Sequence, residues 1–353
     1  MINKIRVGLA SFGMSGKIFH APLLAHRNDY ILSHIIERST DYAASIYPHV
    51  RIGRTFEELL NNSDIDLVIV NTPDHTHFEF ARLALEHGKH VVVEKPFTQT
   101  VGQARILTKL AREKNKLLSV FHNRRWDGDF LTVQDIVRQK KLGRLVEFIS
   151  HYDRYRPIVQ HSSWKEQSMS GTGLLYNLGS HMIDQALVLF GMPDAVTAHL
   201  KIIRQQAEVD DWYEVRLHYP DLSVRLNGSY LVPEAGPRYV LHGTEGSFIK
   251  SGIDPQEDEL KKGTIPGGPG WGLENEKWQG TLISEENGAQ IRNKIPTAPG
   301  NYGAYYDSLW NSLTNGSEPP VTGLDGLRNL IIIEAAQRSS AERKTIDIPK
   351  IES

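Results

Sequence analysis

The feature that most constrains the fold of this chain is the regular alternation of short, apolar, β-branched runs with helical patterns over its first third. The predicted strands are Ile5–Ala10, Ile31–Glu37, Asp66–Val70, His90–Val93 and Leu117–Phe121. Helical patterns between successive strands act as crossovers, which require parallel pairing and helices on both faces of the sheet. We therefore predict an α/β fold in which residues 1–122 form a doubly wound parallel sheet.

The pattern changes after residue 122, where strand-like runs follow one another without helices between them. These runs are Glu147–Tyr155, Ala195–Arg204, Trp212–His218, Val224–Tyr230 and Arg238–His242. Strands that succeed one another directly usually pair antiparallel. Residues 123–353 are therefore predicted to form a second, α+β domain. The length of 353 residues agrees with two domains, because single cores rarely grow beyond about 250–300 residues.

A net charge of −2 and the absence of cysteine narrow the possible functions. A nearly neutral chain has no electrostatic basis for binding nucleic acid or an anionic membrane surface. Without cysteine it has no disulfide, thiolate zinc site or cysteine nucleophile. No apolar run approaches the roughly 18 residues of a membrane span, and the N-terminus does not have the pattern of a signal peptide. We expect a cytoplasmic protein with a small-molecule substrate and with neither nucleic acid nor a membrane as a partner.

A glycine-containing loop follows the first predicted strand and precedes a helical pattern. Its residues are Ser11, Phe12, Gly13, Met14, Ser15 and Gly16. They match the dinucleotide fingerprint G-x-G-x-x-G, except that serine stands in place of the first glycine. The fingerprint needs close approach of the pyrophosphate at Gly13 and close strand–helix packing at Gly16. An ordinary turn is the alternative, but the acidic residue Glu37, about 20 residues later, favours a nicotinamide dinucleotide.

The residues at the end of the second predicted strand favour different dinucleotides. Glu37 can accept hydrogen bonds from the ribose hydroxyls of NAD and repel a 2′-phosphate. Arg38 and Ser39 can instead hold the 2′-phosphate of NADP. The residues alone leave NADP and NAD open as cofactors.

Two further segments carry a family pattern: Val70–His77 (VNTPDHTH) and Gly88–Pro96 (GKHVVVEKP). With the glycine loop, they resemble the Gfo/Idh/MocA family of NAD(P)-dependent oxidoreductases. The segments His122–Asp127, Tyr176–Asp184 (YNLGSHMID) and Gly243–Glu257 are similar to a subgroup that includes NADP-dependent scyllo-inositol dehydrogenases. The resemblance implies an N-terminal Rossmann domain and a C-terminal domain with a large, open, mainly antiparallel sheet used for homodimer or homotetramer contacts. It also implies hydride transfer between the dinucleotide and a secondary alcohol of an inositol, sugar or related polyol.

Two residues are the leading catalytic candidates. Lys95 lies just past a predicted buried strand, where doubly wound folds bind ligands, although a surface lysine in a strand-end turn is the alternative. His181 is of the residue type that accepts protons near neutral pH, and Asn177 and Asp184 share its predicted helix face. The family usually has an aspartate where this chain has Asn177. An amide can orient an imidazole or a hydroxyl but cannot carry a proton, so this departure puts the family's proton relay in doubt.

Together with the motifs, the resemblance assigns binding residues. The cofactor-binding candidates are the glycine loop, Glu37, Arg38, Ser39, Asn71, Thr72, Pro73, His77, Glu94, Lys95, Pro96, Asn123 and Arg124. The substrate-binding candidates are Lys95, Tyr155, Trp164 and His181. The family pattern also implies a cis peptide bond between Lys95 and Pro96.

Two alternatives concern metal binding and catalysis. His75 and His77 form an H-x-H pair, but no third ligand is indicated, so no metal is predicted. The alternative function is a non-catalytic NAD(P)-binding regulatory protein of the same fold.

Overall fold

Six parallel strands form the first sheet of the structure, a computed structural model that describes residues 4–350. The strands are β1 (Ile5–Leu9), β2 (Tyr30–Ile36), β3 (Arg51–Gly53), β4 (Leu67–Val70), β5 (His90–Val93) and β6 (Leu118–Val120). Their order across the sheet is β3-β2-β1-β4-β5-β6. The strand order reverses between β1 and β4, which is the switch point of a doubly wound fold, and the predicted fold is confirmed.

The central strands are parallel and share one edge. Val7 of β1 pairs with Leu67 of β4, and Leu67 pairs with His90 of β5. All four residues of β4 are fully buried, as expected for a strand covered on both faces. The carboxyl ends of β1, β4 and β5 therefore lie side by side, and the loops that follow them begin at the same edge.

The first compact unit comprises the chain up to Asn123 together with Pro255–Trp271 and Asn301–Leu327. Its helices are α1 (Ala21–Ala25), α2 (Tyr42–Ile46), α3 (Phe56–Leu60), α4 (His77–Glu86), α5 (Val101–Glu113), α8 (Gln256–Lys261) and α9 (Gly303–Asn315). The late segments belong to this unit because aromatic side chains at and near the start of α9 are fully buried there. For example, Tyr305 packs edge-on against Phe121, with ring centroids 4.9 Å apart. No local pattern in the sequence signals this return of the chain.

The second compact unit comprises Arg124–Asp254, Gly272–Gly300 and the chain from Arg328 onward. Nine strands form its sheet, in the order β14-β13-β12-β11-β7-β10-β9-β8-β15. The strands are β7 (Leu145–His151), β8 (Ala195–Lys201), β9 (Trp212–His218), β10 (Ser223–Ser229), β11 (Tyr239–Gly243), β12 (Gly246–Lys250), β13 (Gly280–Glu286), β14 (Ala289–Ile295) and β15 (Ile346–Asp347). Only β7 and β10 pair parallel, so the mainly antiparallel sheet is confirmed.

Three further α-helices lie wholly or partly in the second unit. They are α6 (Gly128–Arg138), α7 (Ser180–Phe190) and α10 (Gly323–Glu342), of which α10 begins in the last segment of the first unit. Between residues 4 and 350, no helix has the length and apolar character needed to cross a membrane. The domain limits 1–122 and 123–353, the cytoplasmic location and the oligomer contacts through the large sheet stay predictions.

Candidate functional site

Asn71, the first residue after β4, holds the loop that follows β1. Its Oδ1 accepts a hydrogen bond from the Ser11 amide (3.0 Å), and its Nδ2 donates to the Ser11 carbonyl (2.8 Å). The Ser11 hydroxyl donates to the Asn71 carbonyl at 2.8 Å. Ser11 has no left-handed backbone conformation, so serine is compatible with the turn in place of the first glycine. Its hydroxyl adds a hydrogen bond that glycine cannot make.

The other two positions of the fingerprint fit a dinucleotide in different ways. A Cβ at Gly16 would lie 2.7 Å from the Ser11 carbonyl oxygen and 2.9 Å from Asn71 Nδ2, so glycine is needed for close packing. A Cβ at Gly13 would meet only the Ser11 hydroxyl, at 3.8 Å. The backbone at Gly13 is therefore accessible to a ligand. This division, packing at one glycine and close approach at the other, is what pyrophosphate binding requires.

Glu37, which follows β2, uses both carboxylate oxygens within its own loop. Oε1 accepts a hydrogen bond from the Thr40 hydroxyl (2.6 Å), and Oε2 accepts one from the Ala43 amide (2.7 Å). Glu37 is buried, whereas Arg38 and Ser39 are exposed. The carboxylate predicted to bind ribose thus stabilises the start of α2.

The backbone on both sides of the Lys95–Pro96 peptide bond is held by side chains. The Lys95 amide donates to Glu94 Oε2 at 3.0 Å. His77 Nδ1 lies 2.8 Å from the Pro96 carbonyl oxygen, and its Nε2 lies 2.9 Å from the Thr72 carbonyl oxygen. The peptide bond between Lys95 and Pro96 is cis, as predicted. Both ring nitrogens of His77 contact carbonyl oxygens, and the described residues contain no group of three or more potential metal ligands.

His20 is a site residue that the sequence analysis missed. Its Nε2 lies 3.1 Å from Glu94 Oε1, and its Nδ1 lies 2.7 Å from the Tyr306 hydroxyl. These partners are 74 and 286 residues away along the chain, so no local motif could have identified them.

In the second unit, two candidate residues lie where α7 begins. Asn177 is part of a π turn, Leu175–Gly179, and His181 is the buried second residue of α7. Asp210 Oδ2 accepts a hydrogen bond from the first amide of this turn at 2.8 Å. The Asn177 side chain donates to the Tyr230 hydroxyl at 3.1 Å. Asp210 and Tyr230 were not predicted from the sequence, because they lie on other elements.

Asp184, predicted on the same helix face as His181, forms a bidentate ion pair. Its Oδ2 accepts from Arg125 Nε (2.8 Å) and its Oδ1 from Arg125 Nη2 (2.7 Å). Paired bonds of this kind fix both side chains strongly. Arg124 donates to Asp127 at 3.2 Å and, like Asn123, lies in a 3-10 turn. The geometry of Asp184 suits a positioning role better than proton transfer.

The two aromatic candidates for substrate contact lie on the segment before the π turn. Tyr155 is exposed, and its backbone forms an antiparallel bridge with Leu231, the residue after Tyr230. Trp164 begins a short 3-10 turn that ends at Glu166. Arg204 Nη2 donates to Glu166 at 2.7 Å, and the Arg204 guanidinium lies 4.7 Å from the centroid of the Tyr230 ring. Through Arg204, the Trp164 turn is connected to Tyr230, whose hydroxyl accepts the Asn177 hydrogen bond.

Comparison with known proteins covers nearly the whole chain. Residues 5–122 match the GFO_IDH_MocA model, described as an oxidoreductase family with an NAD-binding Rossmann fold, and residues 134–348 match the model of the family's C-terminal alpha/beta domain. The scyllo-inositol 2-dehydrogenase (NADP(+)) IolW of Bacillus subtilis is 41% identical over 345 residues, which are 98% of this chain and 96% of that protein.

A second relative and a solved structure extend the comparison. The D-glucoside 3-dehydrogenase of Escherichia coli is 27% identical over 200 residues, covering 55% of this chain and 57% of its own. The solved structure of yvaA from Bacillus subtilis has a TM-score of 0.95 and 40% identity, with 99% of each chain covered.

An added methyl group should act differently at the two loop glycines. Gly16→Ala forces Cβ against the Ser11 carbonyl, so we expect it to destabilise the cofactor-free protein by roughly 1–3 kcal/mol. Gly13→Ala should leave the unfolding temperature unchanged but weaken NADP binding by at least about tenfold. Thermal unfolding and calorimetric titration measure the two quantities. Unchanged NADP binding by Gly13→Ala would contradict the pyrophosphate assignment.

Asp210 should make stability depend on pH. Burial raises the pKa of Asp210 to about 6, from 3.8 in the unfolded chain. Its ionised form therefore destabilises the fold above about pH 6, and this effect disappears as the pH falls toward about 4. Relative to Asp210→Asn, the wild type should gain thermal stability from about pH 7 to about pH 5. Asp221→Asn, which alters an exposed carboxylate, is the control; a pH-independent difference for Asp210→Asn would refute the expectation.

Proposed function

Because the chain belongs to the Gfo/Idh/MocA family of oxidoreductases, we propose that it oxidises a secondary alcohol of an inositol, a sugar or a related polyol, or reduces the corresponding ketone. It is an NAD(P)-dependent dehydrogenase acting on CH–OH groups. The observation that carries the proposal is the position of Lys95 at the carboxyl end of β5, in the same unit as the glycine loop. The 41% identity with a scyllo-inositol dehydrogenase supports the substrate class.

The proposed chemistry needs charge stabilisation and proton transfer, and each unit offers one candidate residue. When bound, the nicotinamide exchanges a hydride with the carbinol carbon. The Lys95 ammonium stabilises the negative charge that develops on the substrate oxygen. His181 accepts the hydroxyl proton, a task that imidazole performs near neutral pH. Asn177 orients the Tyr230 hydroxyl through its hydrogen bond, and Asp184 positions the Arg125 guanidinium.

We propose NADP as the preferred cofactor. Glu37 is buried, and its carboxylate oxygens accept hydrogen bonds from Thr40 and Ala43, so the carboxylate is less available to the ribose hydroxyls of NAD. Arg38 and Ser39 are exposed directly after it and supply a cation and a hydroxyl for the 2′-phosphate. The relative IolW is named as an NADP(+) enzyme, which supports the same preference.

A substrate panel tests the proposed function. Inositols, aldoses and sugar acids are incubated with NADP and with NAD, and formation of the reduced nicotinamide is followed by absorbance. We expect turnover with at least one polyol and none with its analogue deoxygenated at the reacting carbon. Tight dinucleotide binding without turnover of any panel member would favour the non-catalytic regulatory alternative.

Removal of the Arg38 guanidinium should weaken NADP binding selectively. We expect Arg38→Ala to lower the affinity for NADP about tenfold or more, because a charge-assisted contact to phosphate is lost, while NAD affinity stays within about twofold. Arg51→Ala is the matched control. Arg51 is also exposed, but it lies at the amino end of β3, whereas Arg38 follows the carboxyl end of β2. Equal losses for NADP and NAD in Arg38→Ala would contradict the 2′-phosphate assignment.

Two substitutions of Lys95 separate its proposed role from that of a base. Lys95→Met should cut turnover by about 10²- to 10⁴-fold with little change in dinucleotide affinity. Lys95→Arg keeps the positive charge but cannot accept a proton, so it should retain clearly more turnover than Lys95→Met. Steady-state kinetics and fluorescence titration of NADP provide the data. An arginine variant as slow as the methionine variant would argue against charge stabilisation and make Lys95, rather than His181, the candidate base.

A further inference from the structure

A buried chain of hydrogen bonds connects α9 with the backbone of Lys95, entirely within the first unit. It runs from the Tyr306 hydroxyl to His20 Nδ1 (2.7 Å), from His20 Nε2 to Glu94 Oε1 (3.1 Å), and from Glu94 Oε2 to the Lys95 amide (3.0 Å). Tyr306 and His20 are completely buried, and Glu94 is nearly so. Polar groups in such surroundings destabilise a fold unless each one is satisfied.

The protonation states in this chain follow from its chemistry. Burial acts to raise the pKa of Glu94, but hydrogen bonding to His20 and nearby positive charge, including Lys95, together outweigh it, so the pKa is lowered and the carboxylate accepts hydrogen bonds as an anion. His20 Nε2 must therefore carry the proton that it donates to Glu94. Burial raises the pKa of Tyr306 far above its ordinary value, so its hydroxyl stays protonated and can donate to Nδ1. A neutral imidazole satisfies both contacts.

His20 also belongs to the segment that leaves the glycine loop. The π turn Gly16–His20 follows that loop, and the amide of Ala21 donates to the Gly16 carbonyl. The His20 ring packs against Phe121, with centroids 4.4 Å apart, which fixes the plane of the imidazole. One side chain thus joins the loop after β1 to the loop after β5.

We propose that His20 and Tyr306 are positioning residues for the dehydrogenase reaction. They hold the Glu94 carboxylate in one orientation, and that carboxylate holds the Lys95 backbone relative to the glycine loop. Neither residue is proposed to contact the substrate, since His20 acts on Glu94 and Tyr306 acts on His20. The proposal rests on the function proposed above for Lys95, but its structural part does not require that function.

The structural part is tested by hydrogen exchange of the Lys95 amide. Protein labelled with ¹⁵N-lysine gives one signal for this amide, identified by its loss in Lys95→Met. Tyr306→Phe removes only the terminal donor, so we expect the Lys95 amide to exchange about tenfold faster, equivalent to about 1.4 kcal/mol. Tyr305→Phe is the matched control, because Tyr305 is equally buried and its hydroxyl contacts Ser119 Oγ at 2.8 Å.

The functional part is tested by kinetics on the best polyol substrate. Tyr306→Phe should lower kcat about tenfold, while KM for the polyol and the Kd of NADP stay within about twofold. Tyr305→Phe should leave all three constants near wild type. His20→Gln should recover part of the kcat lost in His20→Ala, since a side-chain amide can donate to Glu94 but not replace the whole ring.

The outcomes separate this proposal from the proposed function. Faster Lys95 exchange with reduced kcat in Tyr306→Phe, and neither change in Tyr305→Phe, supports positioning. Unchanged Lys95 exchange in Tyr306→Phe overturns the proposal, whatever the kinetics. Equal losses of kcat in the two tyrosine variants overturn it as well, since they indicate only lost stability. If no polyol is oxidised by the wild type, the proposed function fails, and the exchange measurement still decides whether the chain of hydrogen bonds holds Lys95.

Discussion

Parallel pairing of β1, β4 and β5 is the constraint on which the first unit's functional geometry depends. The register brings the carboxyl ends of these strands to one edge, so three residues far apart in sequence, Ser11, Asn71 and Glu94, follow neighbouring strands. Side chains then connect the loops directly: Asn71 binds Ser11, and His20 binds Glu94. Each loop is therefore held by its neighbours, which is how a doubly wound sheet builds a rigid ligand site from irregular backbone.

The second unit positions its candidate residues by ion pairs and by the carboxylate of Asp210, which accepts a hydrogen bond from the first amide of the π turn. Asp184 pairs with Arg125, and Arg204 joins Glu166 to the ring of Tyr230. Buried charges need partners, because an unpaired ion in the interior is strongly unfavourable. These pairs fix the turns around α7, close to His181, the residue proposed above as the proton acceptor.

Local patterns predict five strands of the six-stranded sheet, because each of its central strands is a short apolar run that is buried on both faces. They missed β3, an edge strand of three residues that begins with an exposed arginine. They also failed for β13 and β14, because most residues of β13 are only partly buried and most residues of β14 are exposed. The turn between these strands, Asn287-Gly288, does carry a recognised hairpin signal, and both residues have positive φ. No local pattern could reveal that His20 contacts Tyr306, which is 286 residues away. The contacts of Glu37 with Thr40 and Ala43 are close in sequence, but they depend on the conformation of the loop, which composition does not give.

If this chain moves a hydride between a polyol carbon and NADP, isotope transfer measures that step directly. The protein is incubated with NADP and an inositol deuterated at its ring carbons, and the reduced cofactor is analysed by mass spectrometry. Transfer from carbon predicts NADPH that carries one deuterium, in amounts equal to the ketone formed. Reduced cofactor without deuterium would show that the hydride does not come from the polyol carbon.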